Sequence, residues 1–106
     1  MPYQYRPRGM PSRFMEGAPD IVRRGIIDIT GPHASAVCGY DMIFRPEPDA
    51  AEIVGLDFGI YGERGCHFFL KPYEMRTYRE RNRHKRVAWL DLPEATRRAV
   101  LDYLAE

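Results

Sequence analysis

The amino-acid sequence predicts a small α+β domain, in which an antiparallel sheet of about four strands forms a meander and a C-terminal helix packs on one face. Three observations support this fold class. Apolar residues recur at the strand period of two over residues 36–60, glycines and prolines separate the runs, and an apolar helical stripe closes the chain. The 106 residues, 44% of them apolar, suit a single packed core.

The N-terminal part of the chain has a different composition. Residues 1–20 contain four prolines and show no apolar period, which predicts an extended arm that precedes a single domain over residues 21–106. Residues 21–30 are rich in isoleucine and end at the turn-forming Gly31 and Pro32, which predicts the first strand.

The next two runs predict a hairpin at the centre of the sheet. One face of residues 36–44 is wholly apolar or aromatic, and the alternation resumes from Val54 to Ile60. A register that pairs residues whose numbers sum to 98 sets Asp41 opposite Asp57 on the face away from the core. A register that sums to 96 separates the two carboxylates, and both remain open.

A fourth strand is predicted over residues 66–70, after a turn flanked by Gly62 and Gly65. A plain two-residue turn leaves Phe68 facing outward. A longer or bulged turn brings Phe68 and Leu70 inward, and the sequence leaves both registers open.

The end of the chain predicts a helix that begins near Leu92. Asp91 and Glu94 have the spacing of a capping box, and Pro93 suits the first turn. Trp89, just before this point, is predicted to be a core anchor.

Charge is strongly divided along the chain. Residues 64–90 contain eight basic and two acidic residues, a net charge of +6, whereas residues 36–63 contain one basic and six acidic residues, a net charge of −5. The net charge of +1 for the whole chain conceals this division. We call residues 76–86 the basic segment, and a helix is one alternative for its conformation.

The basic segment is the best indication of function. If residues 74–86 are helical, four arginines align along one helical face that suits a phosphate backbone. The candidate binding residues are these arginines and two nearby tyrosines, namely Arg76, Arg79, Arg83, Arg86, Tyr73 and Tyr78. We therefore predict a small non-enzymatic binding or regulatory protein that contacts nucleic acid or a nucleoprotein complex and uses no cofactor.

Three alternatives remain open. The arginines can simply form a solvated face, or pair with the acidic hairpin of the same domain. The chain can be an inhibitor or adaptor that docks on an acidic protein surface of a larger assembly, as phage or mobile-element accessory proteins do, with exposed tyrosines such as Tyr61 as contacts. A metal-dependent enzyme that uses Asp41 and Asp57 is a third alternative.

Other sequence features limit the functional classes. Cys38 and Cys66 form no CxxC pair and are predicted to be small core residues. No run approaches the roughly 18 apolar residues of a membrane span, so we expect a cytoplasmic protein without a membrane partner. The sequence does not indicate an oligomeric state.

Overall fold

A computed structural model of the chain describes residues 9–33, 39–45, 47 and 50–106. None of the helices in these ranges is long and apolar enough to cross a membrane. The helices and strands of the described residues are α1 (Asp20–Gly25), β1 (Ile26–Thr30), β2 (Tyr40–Phe44), β3 (Ile53–Phe58), β4 (Arg64–Leu70), α2 (Met75–Asn82) and α3 (Glu94–Leu104).

The four strands form one antiparallel sheet in the order β1-β2-β3-β4. This topology confirms the predicted α+β class and the meander. The apolar face of β2 packs beneath α3, where the rings of Phe44 and Tyr103 lie 4.8 Å apart. The hydroxyl of Thr96 in α3 donates a hydrogen bond of 2.8 Å to the carbonyl oxygen of Gly59, which fixes the helix to the end of β3.

Helix α3 begins later than predicted, and the capping box is wrong. Trp89–Asp91 form a 3-10 turn, and Leu92 is extended because a proline disfavours helical geometry in the residue before it. Pro93 then occupies the N-cap without a side-chain hydrogen bond. Trp89 itself is 3% exposed, which confirms its predicted place in the core.

The strand predicted over residues 21–30 begins only at Ile26, because the chain before it forms α1. Pro19 precedes this helix, Asp20 lies in its first turn, and Arg23 and Arg24 lie in its last turn. That charge order is favourable to the helix dipole. Isoleucine content alone therefore overestimated the length of the first strand.

The N-terminal arm predicted over residues 1–20 falls partly outside the described residues. From Gly9 onward the chain packs on the domain, since Met10, Met15 and Ala18 are buried in the same core cluster as Trp89. Part of the predicted arm therefore contributes to the core.

The sheet is covered on both faces, which the sequence did not predict. Ile27, Ile43 and Ile53 point away from α3 and form a second apolar cluster with Met75 of α2. The register is irregular between Leu56 and Phe58, and neither predicted alternative describes β4. Phe68 pairs with Gly55, and Leu70 pairs with Ile53, on the face opposite Leu56 and Phe58. Both side chains are nevertheless partly buried, because they pack against the second cluster there.

The two outer strands have different surroundings. Residues 85–87 run along β1, where the Gly31 N–H donates to the Lys85 carbonyl oxygen at 2.8 Å and Thr30 forms a bridge with Arg86. On β4, by contrast, Phe69 is 58% exposed, and Cys66 is exposed rather than buried as predicted. Ile60, predicted to extend β3, lies in the following turn and is also exposed.

Close packing in the second cluster gives a stability prediction. A side chain at Gly55 would overlap the ring of Phe68, which lies directly on this glycine. We expect Gly55→Ala to lower the free energy of unfolding in urea by about 1–3 kcal/mol, because the ring must move. In a Phe68→Ala background the same change should cost much less, and equal costs in both backgrounds would contradict this packing.

Candidate functional site

Helix α2 lies on the face of the sheet opposite α3 and divides the basic segment between two sides. Met75, Tyr78 and Arg79 turn toward the sheet, at the spacing of a single helical face. Arg76 and Arg81 are exposed on the outer side of the same helix. The helix therefore has an inner side that packs on the sheet and an outer side that is exposed to solvent.

Two arginines of the basic segment bind one buried carboxylate, that of Asp28 in β1. Arg86 Nε donates to Asp28 Oδ1 at 3.1 Å, and Arg79 Nε lies 3.8 Å from Asp28 Oδ2. Arg79 also donates through Nη2 to the Ile27 carbonyl oxygen at 2.9 Å. Asp28 is 1% exposed. Burial raises the pKa of Asp28, and the charges of Arg86 and Arg79 oppose that rise. We call Arg79 and Arg86 the inner arginines.

The other arginines of the basic segment face solvent. Arg76, Arg81 and Arg83 are exposed, and none of their side chains makes a hydrogen bond or ion pair with another residue that the structure describes. Tyr73, just before α2, is 69% exposed. We call Arg76, Arg81 and Arg83 the outer arginines.

The predicted single stripe of four arginines is therefore divided. Helix α2 ends at Asn82, and Arg83–Lys85 continue as a 3-10 turn, so Arg86 lies beyond the helix in extended backbone. Arg79 turns inward because a buried carboxylate is available beneath it. Arg76 and Arg83 stay exposed on the outer side.

A polar network lies beneath α2, beside the second apolar cluster. The hydroxyl of Tyr78 is 3.0 Å from Thr30 Oγ1 and also forms a hydrogen bond with Asp41. The Tyr78 ring packs near Phe68, with 6.3 Å between ring centroids. Burial raises the pKa of Tyr78, so its hydroxyl stays protonated and can donate.

Asp41 and Asp57 are directly opposite each other in the β2–β3 ladder, which confirms the register that sums to 98. They are not simply exposed on a solvated face, because α2 covers that face and Asp57 is only 9% exposed. Burial, followed by a hydrogen bond that protonated Asp41 donates to Asp57 and by the charge of Asp57, raises the pKa of Asp41 to about 8. We call these two residues the carboxyl pair.

His33 completes the network next to the carboxyl pair. Its Nε2 lies 2.9 Å from Asp41 Oδ2 and 3.2 Å from Thr30 Oγ1. Burial, together with the nearby charge of Lys85, lowers the pKa of His33. The contact with Asp41 is therefore best described as a hydrogen bond from a neutral imidazole N–H rather than as an ion pair.

The side chains of this network can hold and share a proton. Two facing carboxyl groups with little solvent disfavour a second negative charge, which is one reason why the pKa of Asp41 lies above its usual value. Among the described residues, no group of three or more His, Cys, Asp or Glu side chains is placed to hold a metal ion.

Sequence reasoning identified the carboxyl pair and the basic segment but missed Asp28, Thr30 and His33. One signal was present in the sequence. Asp28 lies between Ile27 and Ile29 in a strand predicted to be buried, and a buried carboxylate requires a cationic or hydrogen-bonding partner. That requirement points to an arginine elsewhere in the chain, although it does not say which one.

Comparison of the chain with protein families, with curated proteins and with solved structures gives no match.

The contact between Asp28 and the inner arginines gives a second stability prediction. Asp28→Asn removes the charge but keeps the shape, and leaves Arg79 and Arg86 without their buried counter-ion. We expect the free energy of unfolding in urea to fall by about 3 kcal/mol.

The matched control is Glu94→Gln, which removes the partner of Arg98 in an exposed ion pair of 3.3 Å on α3. This variant should change stability little, because exposed ion pairs contribute little. Similar effects in the two variants would show that Asp28 does not fasten the basic segment.

Proposed function

We propose that this chain is a small, non-enzymatic, cytoplasmic protein that binds the phosphate backbone of a nucleic acid, free or in a nucleoprotein complex. The contacts would come from the outer side of the basic segment, with Arg76 and Arg83 as main contacts and Arg81 beside them. Tyr73 offers an exposed ring for stacking on a base.

The observation that supports this proposal most directly is the lack of internal partners for the outer arginines. An arginine that only balances charge within a domain is expected to lie against a carboxylate, as Arg79 and Arg86 do with Asp28. Arg76, Arg81 and Arg83 have no such contact among the described residues. Their charge is therefore available to an external anion.

The inner arginines add a second argument, because they hold the binding surface in place. Arg79 and Arg86 attach α2 and the chain after it to β1. A surface that is already ordered loses less conformational entropy when a ligand binds. In this proposal, two of the four arginines predicted to contact phosphate instead support the residues that do.

The expected sequence preference follows from the kind of contact that the outer arginines can make. Backbone contacts by arginine do not depend on base sequence, whereas base-specific binding needs side chains aimed at base edges. We therefore expect weak sequence preference and strong dependence on salt.

A second candidate is an adaptor or inhibitor that docks on another protein, including a phage or mobile-element accessory protein. Two exposed aromatic side chains favour it. Tyr61 is 81% exposed in the turn after β3, and Phe69 is 58% exposed on the outer strand β4. Aromatic residues of this kind are common at interface hot spots. Nucleic acid should then not compete with the partner.

The test is fluorescence anisotropy of labelled single-stranded and duplex DNA and RNA with Arg76→Ala/Arg83→Ala. Because each phosphate contact contributes about 0.9 to the slope of log K against log salt for duplex DNA, the variant should lower that slope by about 2. Its affinity near 0.1 M salt should fall about tenfold or more, because two charge-assisted contacts are lost.

The control is Arg24→Ala/Arg98→Ala, which removes the same charge from α1 and α3 on the other side of the sheet. This variant should keep most of the slope and affinity. An equal loss in both variants would indicate an effect of net charge alone. No binding at low salt by the folded wild-type protein would reject the proposal and favour the protein-docking alternative.

A further inference from the structure

We propose that Asp41 and Asp57 form a proton-binding site that acts as a latch under α2, holding the helix on the sheet while the pair keeps one proton and releasing it when that proton is lost. The latch would make the position of the basic segment depend on pH near neutrality. Its effect on nucleic-acid binding rests on the function proposed above, whereas the latch itself does not.

The position of the carboxyl pair is the first argument. Asp41 and Asp57 are cross-strand partners on the face that α2 covers, and the Tyr78 hydroxyl of α2 forms a hydrogen bond with Asp41. The same hydroxyl lies 3.0 Å from Thr30 Oγ1. The pair is therefore joined to the helix by hydrogen bonds rather than lying apart from it.

The groups around the pair are the second argument. Only one cation, Lys85, has an electrostatic effect on Asp41 among the described residues, and it also acts on His33. Gly65 of β4 packs against Asp57 and contributes no side chain that could neutralise a second negative charge. The groups that face the pair from the elements around it are Asp28 and Thr30 of β1, His33, Tyr78 of α2, Gly65 and Lys85.

The charges around the carboxyl pair favour lifting of α2 alone over a rearrangement of the inner arginines. The inner arginines already bind Asp28, so they cannot move to Asp41 without leaving another buried carboxylate unpaired. When the pair becomes doubly charged, the repulsion is relieved if α2 lifts and water reaches Asp41. This motion leaves the α3 side of the sheet intact.

The direction of the pH dependence follows from linkage. Burial and the neighbouring Asp57 raise the pKa of Asp41 to about 8, above the usual value near 4 for an accessible aspartate. The docked helix therefore binds one more proton than the lifted helix between these values, and its stability falls as pH rises toward 8. The pKa of His33 is lowered, so the docked state binds fewer protons at His33 than an accessible imidazole does near pH 6.5. This contribution opposes that of Asp41 near pH 6.5 and fades as pH rises toward 8.

The test is amide hydrogen exchange of the full chain from pH 6.5 to 8, corrected for intrinsic exchange rates, with α3 as the internal reference. Protection of the α2 amides should fall roughly tenfold relative to α3, because lifting releases close to one proton over this range. Side-chain carboxyl ¹³C NMR of the same protein should show one aspartate that titrates near pH 8.

Two variants isolate the pair from the rest of the network. Asp57→Asn keeps the contacts of Asp41 with His33 and Tyr78 but removes the like charge, so protection of α2 should depend less strongly on pH. Asp41→Asn should do the same and serves if the first variant does not fold. Asp102→Asn, an exposed change on α3, should retain the wild-type dependence.

The outcomes separate the latch from the proposed function. Three results would overturn the latch: equal loss of protection in α2 and α3, a pH dependence of α2 protection that is unchanged in both pair variants, or no aspartate titrating between pH 7 and 9.

If the latch is present but wild type binds no nucleic acid at pH 6.5, only the function proposed above is rejected. If both hold, anisotropy at constant ionic strength should show weaker binding at pH 8 in wild type and a smaller change in Asp57→Asn.

Discussion

One buried carboxylate determines how the basic half of the chain is arranged. Asp28 lies in β1 with 1% exposure and must be neutralised, since a buried unpaired charge is strongly unfavourable. Arg79 and Arg86 supply that charge from two successive parts of the chain. This requirement places α2 on the second face of the sheet, brings residues 85–87 alongside β1, and leaves the other arginines of the segment on the outside.

The attachment of α2 to Asp28 also connects the carboxyl pair to the inner arginines. Tyr78 is on the inner side of α2 next to Arg79, so the helix that Asp28 attracts also covers the carboxyl pair. One contact is the ion pair between Asp28 and the inner arginines. The other is the hydrogen bond of Tyr78 with Asp41. In the latch proposed above, loss of the proton from the carboxyl pair weakens this second contact, and α2 lifts from the sheet.

The alternation of apolar residues was sufficient to predict the sheet. It did not predict that α2 covers the second face. The alternation in β2 and β3 restricts their register, so the pairing of Asp41 with Asp57 was one of only two alternatives. The helix before β1 was missed because Ile21 and Val22 favour a strand locally, whereas the order of charges in α1 favours a helix. The division of the arginines depends on Asp28, which is distant in sequence, and helical spacing alone cannot distinguish an inward Arg79 from an outward Arg76.

The basic segment has inner arginines bound to Asp28 and, in the proposed function, outer arginines that contact a phosphate ligand. The most direct measurement is NMR of the arginine Nε–H groups during titration with a short oligonucleotide at low salt and pH 6.5. The structure predicts slowly exchanging Nε–H signals for Arg79 and Arg86 that barely shift, while the signals of Arg76, Arg81 and Arg83 shift with saturation. Shifts of equal size in both sets, or rapid exchange of Arg79 and Arg86 in the free protein, would contradict the account.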